Sequence, residues 1–180
     1  MLTLRRLAWP ACLPAASARH FAPRPCYGNA SAMPSLTIAI AADHGGLDLK
    51  RQLLAALRAA GHQVTDFGTD GSESVDYPDY ARPVAEAVSS GAARFGVLVC
   101  GSGIGMAITA NRHPGIRATV LHNTTEARLT RAHNDANIAC FGGRTLGVEV
   151  ALDCLHSFLA TPYDGGRHDR RIAKIESPSA

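Results

Sequence analysis

No stretch of this chain approaches the roughly 20 consecutive apolar residues that cross a bilayer, which argues against a membrane-spanning helix. Blocks of like charge and long stretches of low hydrophobicity are also missing, so nothing in the chain reads as a disordered charged tail. What remains, 180 residues with 46% hydrophobic and 18% charged side chains, suits one soluble globular domain with a single core. Acidic residues are absent before Asp43, whereas Arg5, Arg6, Arg19 and Arg24 all precede Met33. Removing those four arginines from the formal charge of +3 leaves about −1 for residues 33–180, so the folded part has no basic character to suggest nucleic-acid binding.

Residues 1–32 are acid-free, Arg-containing and rich in Ala and Pro, and read as an extension outside the core. They fit an organelle-targeting peptide or a start upstream of the true one at Met33. Prolines interrupt their apolar stretch, which disfavours a secretory signal. The domain proper is expected at 33–180. Its expected location is cytoplasmic, or organellar if the extension is a transit peptide.

The five cysteines, at positions 12, 26, 100, 140 and 154, contain no C-x-x-C pair and no regular framework, as expected of free thiols in a reducing compartment. Cys140 and Cys154 sit among apolar residues and read as small core fillers. The eight histidines show no H-x-x-x-H or comparable spacing, so no metal is expected, and no cofactor either. A dinucleotide fingerprint is missing after the first strand, and no G-K-[ST] marks a P-loop. A cysteine-phosphatase loop would need Arg six residues after Cys100, where Met106 stands.

What the chain does have is alternation. Short aliphatic runs at 35–42, 62–68, 95–100, 116–121 and 137–142 read as strands, and helical patterns follow at 47–61, 80–91, 104–112, 124–134 and 147–160. Continuously apolar strands joined by helices imply a parallel sheet covered on both faces. The expected fold is therefore α/β, a three-layer α/β/α sandwich of Rossmann or flavodoxin type around a five-stranded parallel sheet. Such sheets bind ligands beyond the carboxyl ends of their strands. There lie Asp43-His44-Gly45-Gly46, Cys100-Gly101-Ser102-Gly103, His122-Asn123 and Gly142-Gly143-Arg144.

Cys100-Gly101-Ser102-Gly103-Ile104-Gly105 is a small-residue loop entering a helix, where free N–H groups and the dipole favour an anion. Cys100 is there either as a reactive thiol or as a buried filler beside packing glycines. Asp43-His44 suits sugar hydroxyls or proton movement, or else an ordinary helix cap. His133-Asn134 closes the fourth helix with a side chain suited to acid–base work, or with a solvated one. Arg167, Arg170 and Arg171 follow a Gly-Gly turn, and guanidinium forks match phosphate oxygens. A solvated helix start is the plain alternative. Together these groups suit proton abstraction beside the carbonyl of a phosphorylated sugar.

The same residues, with Asp76-Tyr77-Pro78, Asn111, Asp135-Ala136-Asn137, Phe141 and His168, resemble the type B ribose-5-phosphate isomerases, a family that includes galactose- and allose-6-phosphate isomerases. The resemblance runs in order from residue 36 to about 175. It implies a Rossmann-like subunit, usually a homodimer and in places a tetramer, that interconverts ribose 5-phosphate and ribulose 5-phosphate without metal or nucleotide. It implies Cys100 as the base shuttling a proton between C2 and C1, and Gly101, Ser102, Gly103, Ile104 and Gly105 as the cradle of the enediolate oxygens. His133 would open the sugar ring with Asp43 nearby. Tyr77 and Asn134 would contact the sugar, and His44, Arg144, Arg167 and Arg171 the phosphate, some of them across the dimer interface. One branch of the family replaces the cysteine by a glutamate at the position of Met106; Met cannot abstract a proton, so this chain belongs with the cysteine branch. The alternatives are a six-carbon sugar phosphate as substrate, a non-catalytic sugar-phosphate-binding module, and a redox-sensing cysteine protein.

Overall fold

A computed structural model describes residues 34–177; the expectations for residues 1–32 lie outside them. The chain runs β1 (Thr37–Ala42), α1 (Leu47–Ala59), β2 (Gln63–Asp66), α2 (Tyr77–Ser89), β3 (Phe95–Cys100), α3 (Ile104–Ala110), β4 (Ala118–Val120), α4 (Thr124–Asn134), β5 (Ile138–Gly142), α5 (Val148–Ala160), a 3-10 turn (Gly166–His168) and α6 (Asp169–Glu176). All strand pairs are parallel, in the order β2-β1-β3-β5-β4. The expected α/β sandwich with a five-stranded parallel sheet is present. Its last two strands are exchanged relative to a flavodoxin-like order. Their burial explains why: β5 is buried at every position and lies inside the sheet, whereas the three residues of β4 are half-buried and take the edge.

Side-chain alternation along the central strands divides the core in two. Ile38, Ile40, Val97, Val99, Ala139 and Phe141 face α1 and α5, with Leu53, Leu57, Leu155 and Phe158 opposite them. Ala39, Ala41, Leu98, Cys100, Ile138 and Cys140 face α2 and α3, packed by Val84, Ala85, Met106 and Ala107. No helix among the described residues is long and apolar enough to cross a membrane.

Several elements depart from the sequence expectation, β2 among them at four residues rather than seven. Helix α2 begins at Tyr77 rather than at 80, because Pro78 falls in the first turn, where a missing N–H costs nothing. Strand β4 is three residues rather than six. The Arg-rich tail forms a sixth helix, α6, eight residues long with no buried side chain, whose apolar pair Ile172 and Ile175 is too short a run to read as a helix.

The loop from β2 to α2 is anchored from below by Lys50 of α1, a fully buried cation. Its Nζ donates to both carboxylate oxygens of Asp66 at 3.0 and 2.8 Å, to the Thr69 carbonyl at 3.0 Å and to Asp70 at 3.4 Å. Replacing Lys50 with Met strands the Asp66 carboxylate, whose side chain is only 19% exposed. The expected loss in urea denaturation is about 3 kcal/mol, the low end for breaking a buried pair from one side.

Candidate active site

The carboxyl edge of the sheet is assembled backbone against backbone. The turn after β1 folds on Asp43, whose Oδ1 accepts from the Gly46 N–H at 3.1 Å and whose own N–H reaches the Val99 carbonyl at 3.2 Å. The turns after β3 and β5 are tied by Gly143 N–H to Cys100 O at 2.8 Å and Arg144 N–H to Gly101 O at 3.0 Å. No side chain fits between these turns: a Cβ on Gly46 would lie 2.6 Å from the Val99 carbonyl carbon, and one on Gly143 2.8 Å from Gly45 O. Gly103 additionally takes φ +78, a left-handed conformation that favours glycine, and turns the chain from β3 into α3.

Into this cradle the sheet delivers Cys100, 5% exposed, whose Sγ accepts from the Gly103 N–H at 3.1 Å. The bond holds the sulfur at the mouth of the Gly101–Gly105 turn. His44 is fixed by accepting the Val75 N–H on Nδ1 at 3.2 Å, so the neutral ring carries its proton on Nε2. The ring of Tyr77 covers Gly105, where a Cβ would approach to 2.7 Å, and the Arg144 side chain lies over Gly101, 3.5 Å from where a Cβ would stand. Asp43, His44, Tyr77, Cys100, Gly101, Ser102, Gly103, Ile104, Gly105 and Arg144 thus gather at one edge.

His133, Asn134, Arg167 and Arg171 do not join them. Helix α4 runs back from the end of β4, so its last turn lies at the amino edge: the Arg131 guanidinium sits 4.9 Å over the ring of Phe95, the first residue of β3. Cys100 is the last residue of that strand, about 16 Å further along at about 3.3 Å per residue. At the amino edge His133 stacks on His168 with centroids 4.4 Å apart, and its Nε2 lies 4.0 Å from Asp164 Oδ2. Arg167 Nε donates to His168 Nε2 at 3.4 Å. Asp164 and Tyr163 were not singled out from the sequence. Tyr163 donates to Asp169 at 2.7 Å, and burial together with this bond pushes its phenol up to about 12. Asn111 grips both backbone polar groups of Ala118, N–H at 2.7 Å and carbonyl at 2.9 Å, and so acts as a strand partner for the edge strand β4.

The three cysteines of the described residues are free and buried. Cys140 shares the face of Cys100 on the neighbouring strand but is paired with Leu98, two residues back. Strand spacing and rise place its Cα about 8 Å from that of Cys100, beyond disulfide reach. Burial also raises the Cys140 thiol far above its ordinary value and pushes Cys154 up to about 11. The described residues therefore offer Cys100 no resolving thiol.

A buried thiol beside a glycine-rich turn at the carboxyl edge of a parallel sheet lies where such folds bind their ligands. The family comparison gives the class its name. Residues 38–175 match the Ribose/Galactose Isomerase family, and the chain belongs to it. It is 44% identical over 138 residues to the ribose-5-phosphate isomerase B of Escherichia coli, covering 77% of this chain and 93% of that protein. The solved ribose-5-phosphate isomerase B of Clostridium thermocellum superposes with a TM-score of 0.78 at 49% identity, over 78% of this chain and 95% of that one. The Thermotoga maritima ribose-5-phosphate isomerase superposes with a TM-score of 0.77 at 50% identity, over 78% and 97%.

His168 is 5% exposed, and burial, then the neighbouring His133 and the cations Arg167 and Arg171, lower its pKa. The unfolded chain therefore takes up a proton first as pH falls through about 6.5. Stability from this residue is present above that value and is lost as pH falls toward the lower folded value. Thermal melts between pH 7.5 and 5 should show a smaller acid loss for His168→Gln than for wild type. An equal loss contradicts the assignment.

Proposed function

We propose that the chain interconverts ribose 5-phosphate and ribulose 5-phosphate through a cis-enediolate, with Cys100 as the base. The observation that carries this reading is the Cys100 sulfur held by the Gly103 N–H at 3.1 Å, at the mouth of the glycine-rich Gly101–Gly105 turn. In the open-chain aldose the ionised thiol removes the C2 proton, and the C2–H electrons form the C1–C2 double bond. The C1 carbonyl electrons move onto O1, where the Gly101–Gly105 turn meets the charge as it develops. Return of the proton from sulfur to C1, with the O2 hydroxyl proton passing to O1, yields the ketose.

His133 opens the furanose ring by proton transfer, with Asp43 beside the reacting hydroxyls. Tyr77 and Asn134 hold the sugar, and His44, Arg144, Arg167 and Arg171 the phosphate end. The working unit is a homodimer in which the partner's His133, Asn134, Arg167 and Arg171 face Cys100. Two features support this. The amino-edge group lies by the start of β3, whereas Cys100 ends that strand, about 16 Å further along within one chain. Ile104 and Ile108, one turn apart on α3 and each 55% exposed, offer an apolar face beside the Cys100 turn. The three free thiols fit a reducing compartment such as the cytoplasm.

A coupled assay on ribose 5-phosphate should find wild type active, and a folded Cys100→Ala variant slower by about 10²–10⁴-fold in kcat, the range for loss of a general base. A variant that keeps most of its rate refutes Cys100 as the base. Turnover of allose 6-phosphate in preference to ribose 5-phosphate refutes the five-carbon assignment, and ligand protection without turnover of either refutes an enzyme.

A further inference from the structure

The amino-edge cluster holds a feature that isomerase chemistry does not call on. One ligand atom each from His133, Asp164 and His168 lies within 4.8 Å of the other two. Two imidazoles and a carboxylate are a donor set for borderline divalent ions, zinc above all, with the fourth position open. The three residues come from segments that are themselves fixed. His133 closes α4, Asp164 is pinned by its N–H to the Ala132 carbonyl at 3.0 Å, and the His168 N–H donates to Gly165 O at 3.2 Å. Gly165 and Gly166, at φ +64 and +62, bend the chain so that Asp164 and His168 face the same ring. A histidine-spacing search misses the set, because it joins a D-x-x-x-H pair to a histidine some 30 residues earlier.

The geometry points to a zinc-class site at His133, Asp164 and His168, in which the ion takes the imidazole that would otherwise open the sugar ring. Bonds of about 2.0–2.1 Å require the donors to close to roughly 3.4 Å. The two rings are parallel within 9°, so one must turn to face the ion. His133, 37% exposed, has room to do so, whereas His168 is buried. Arg167 must give up its 3.4 Å contact with His168, and its charge and that of Arg171 oppose the ion; Asp164 is the counter-charge that offsets them. Inhibition by the ion rests on the role given to His133 above, whereas binding does not.

The test is zinc titration of the full chain against a chromophoric indicator, with activity followed in parallel. Cys100→Ala serves as the background, so that the active-site thiol cannot hold the ion. Expected are one zinc per chain in that background and binding weakened by about tenfold or more in both Asp164→Asn and His168→Gln, the loss typical of disturbing a metal's shell. In the otherwise wild-type enzyme, zinc should inhibit, EDTA should restore activity, and Asp164→Asn should be less sensitive. Binding unchanged in both variants, or lost with Cys100 alone, overturns the site. Binding at these residues without inhibition supports the site and contradicts instead the role assigned to His133.

Discussion

In a parallel sheet with helical crossovers, every strand ends at one edge and every helix at the other, and this separation governs how the molecule works. Cys100 ends a strand and His133 ends a helix, so the core that buries both faces of β3 also holds the two groups at opposite ends of a strand about 16 Å long. No side-chain rotation closes such a gap. In the mechanism proposed above, chemistry that needs both groups is complete only when the carboxyl edge of one copy meets the amino edge of another.

The half-site at the carboxyl edge owes its shape to close contact between backbones. Three glycine-bearing turns, after β1, β3 and β5, touch without intervening side chains, and direct hydrogen bonds join the last two. Rigid donors placed in this way need no reorganisation as charge develops on a substrate oxygen, and this is where electrostatic stabilisation has its largest effect. The loop carrying Val75 and leading to Tyr77 is held from beneath by Lys50 and from above by His44. Residues far from the sulfur thereby set where His44 and Tyr77 stand beside the Cys100 turn.

Much of this was legible in the sequence, because periodicity reports burial. The apolar runs located all five strands, and the polar residues at their ends are the ones that gather around Cys100. The exchange of β4 and β5 was not legible, since alternation fixes the number of crossovers and not their landing places. Pro78 suits a first helical turn, so α2 starts three residues before the run at 80–91, and the short α6 carries only the apolar pair Ile172 and Ile175, too little to mark a helix. The separation of His133 from Cys100 was implicit in the alternation, since a helix returning from a strand must finish at the opposite edge. Asp164 and His168 became visible as neighbours of His133 only once the Gly165-Gly166 bend was placed.

The measurement that bears most directly on a site shared between two copies is complementation. Cys100→Ala and His133→Asn dimers, each inactive by itself, are dissociated, mixed and reassociated, and isomerisation of ribose 5-phosphate is followed. Random pairing makes half the dimers mixed, each with one intact site from opposite edges of two chains, so activity should return to about a quarter of wild type. Activity no higher than the average of the two parents contradicts the shared site and requires both residues to serve the same chain.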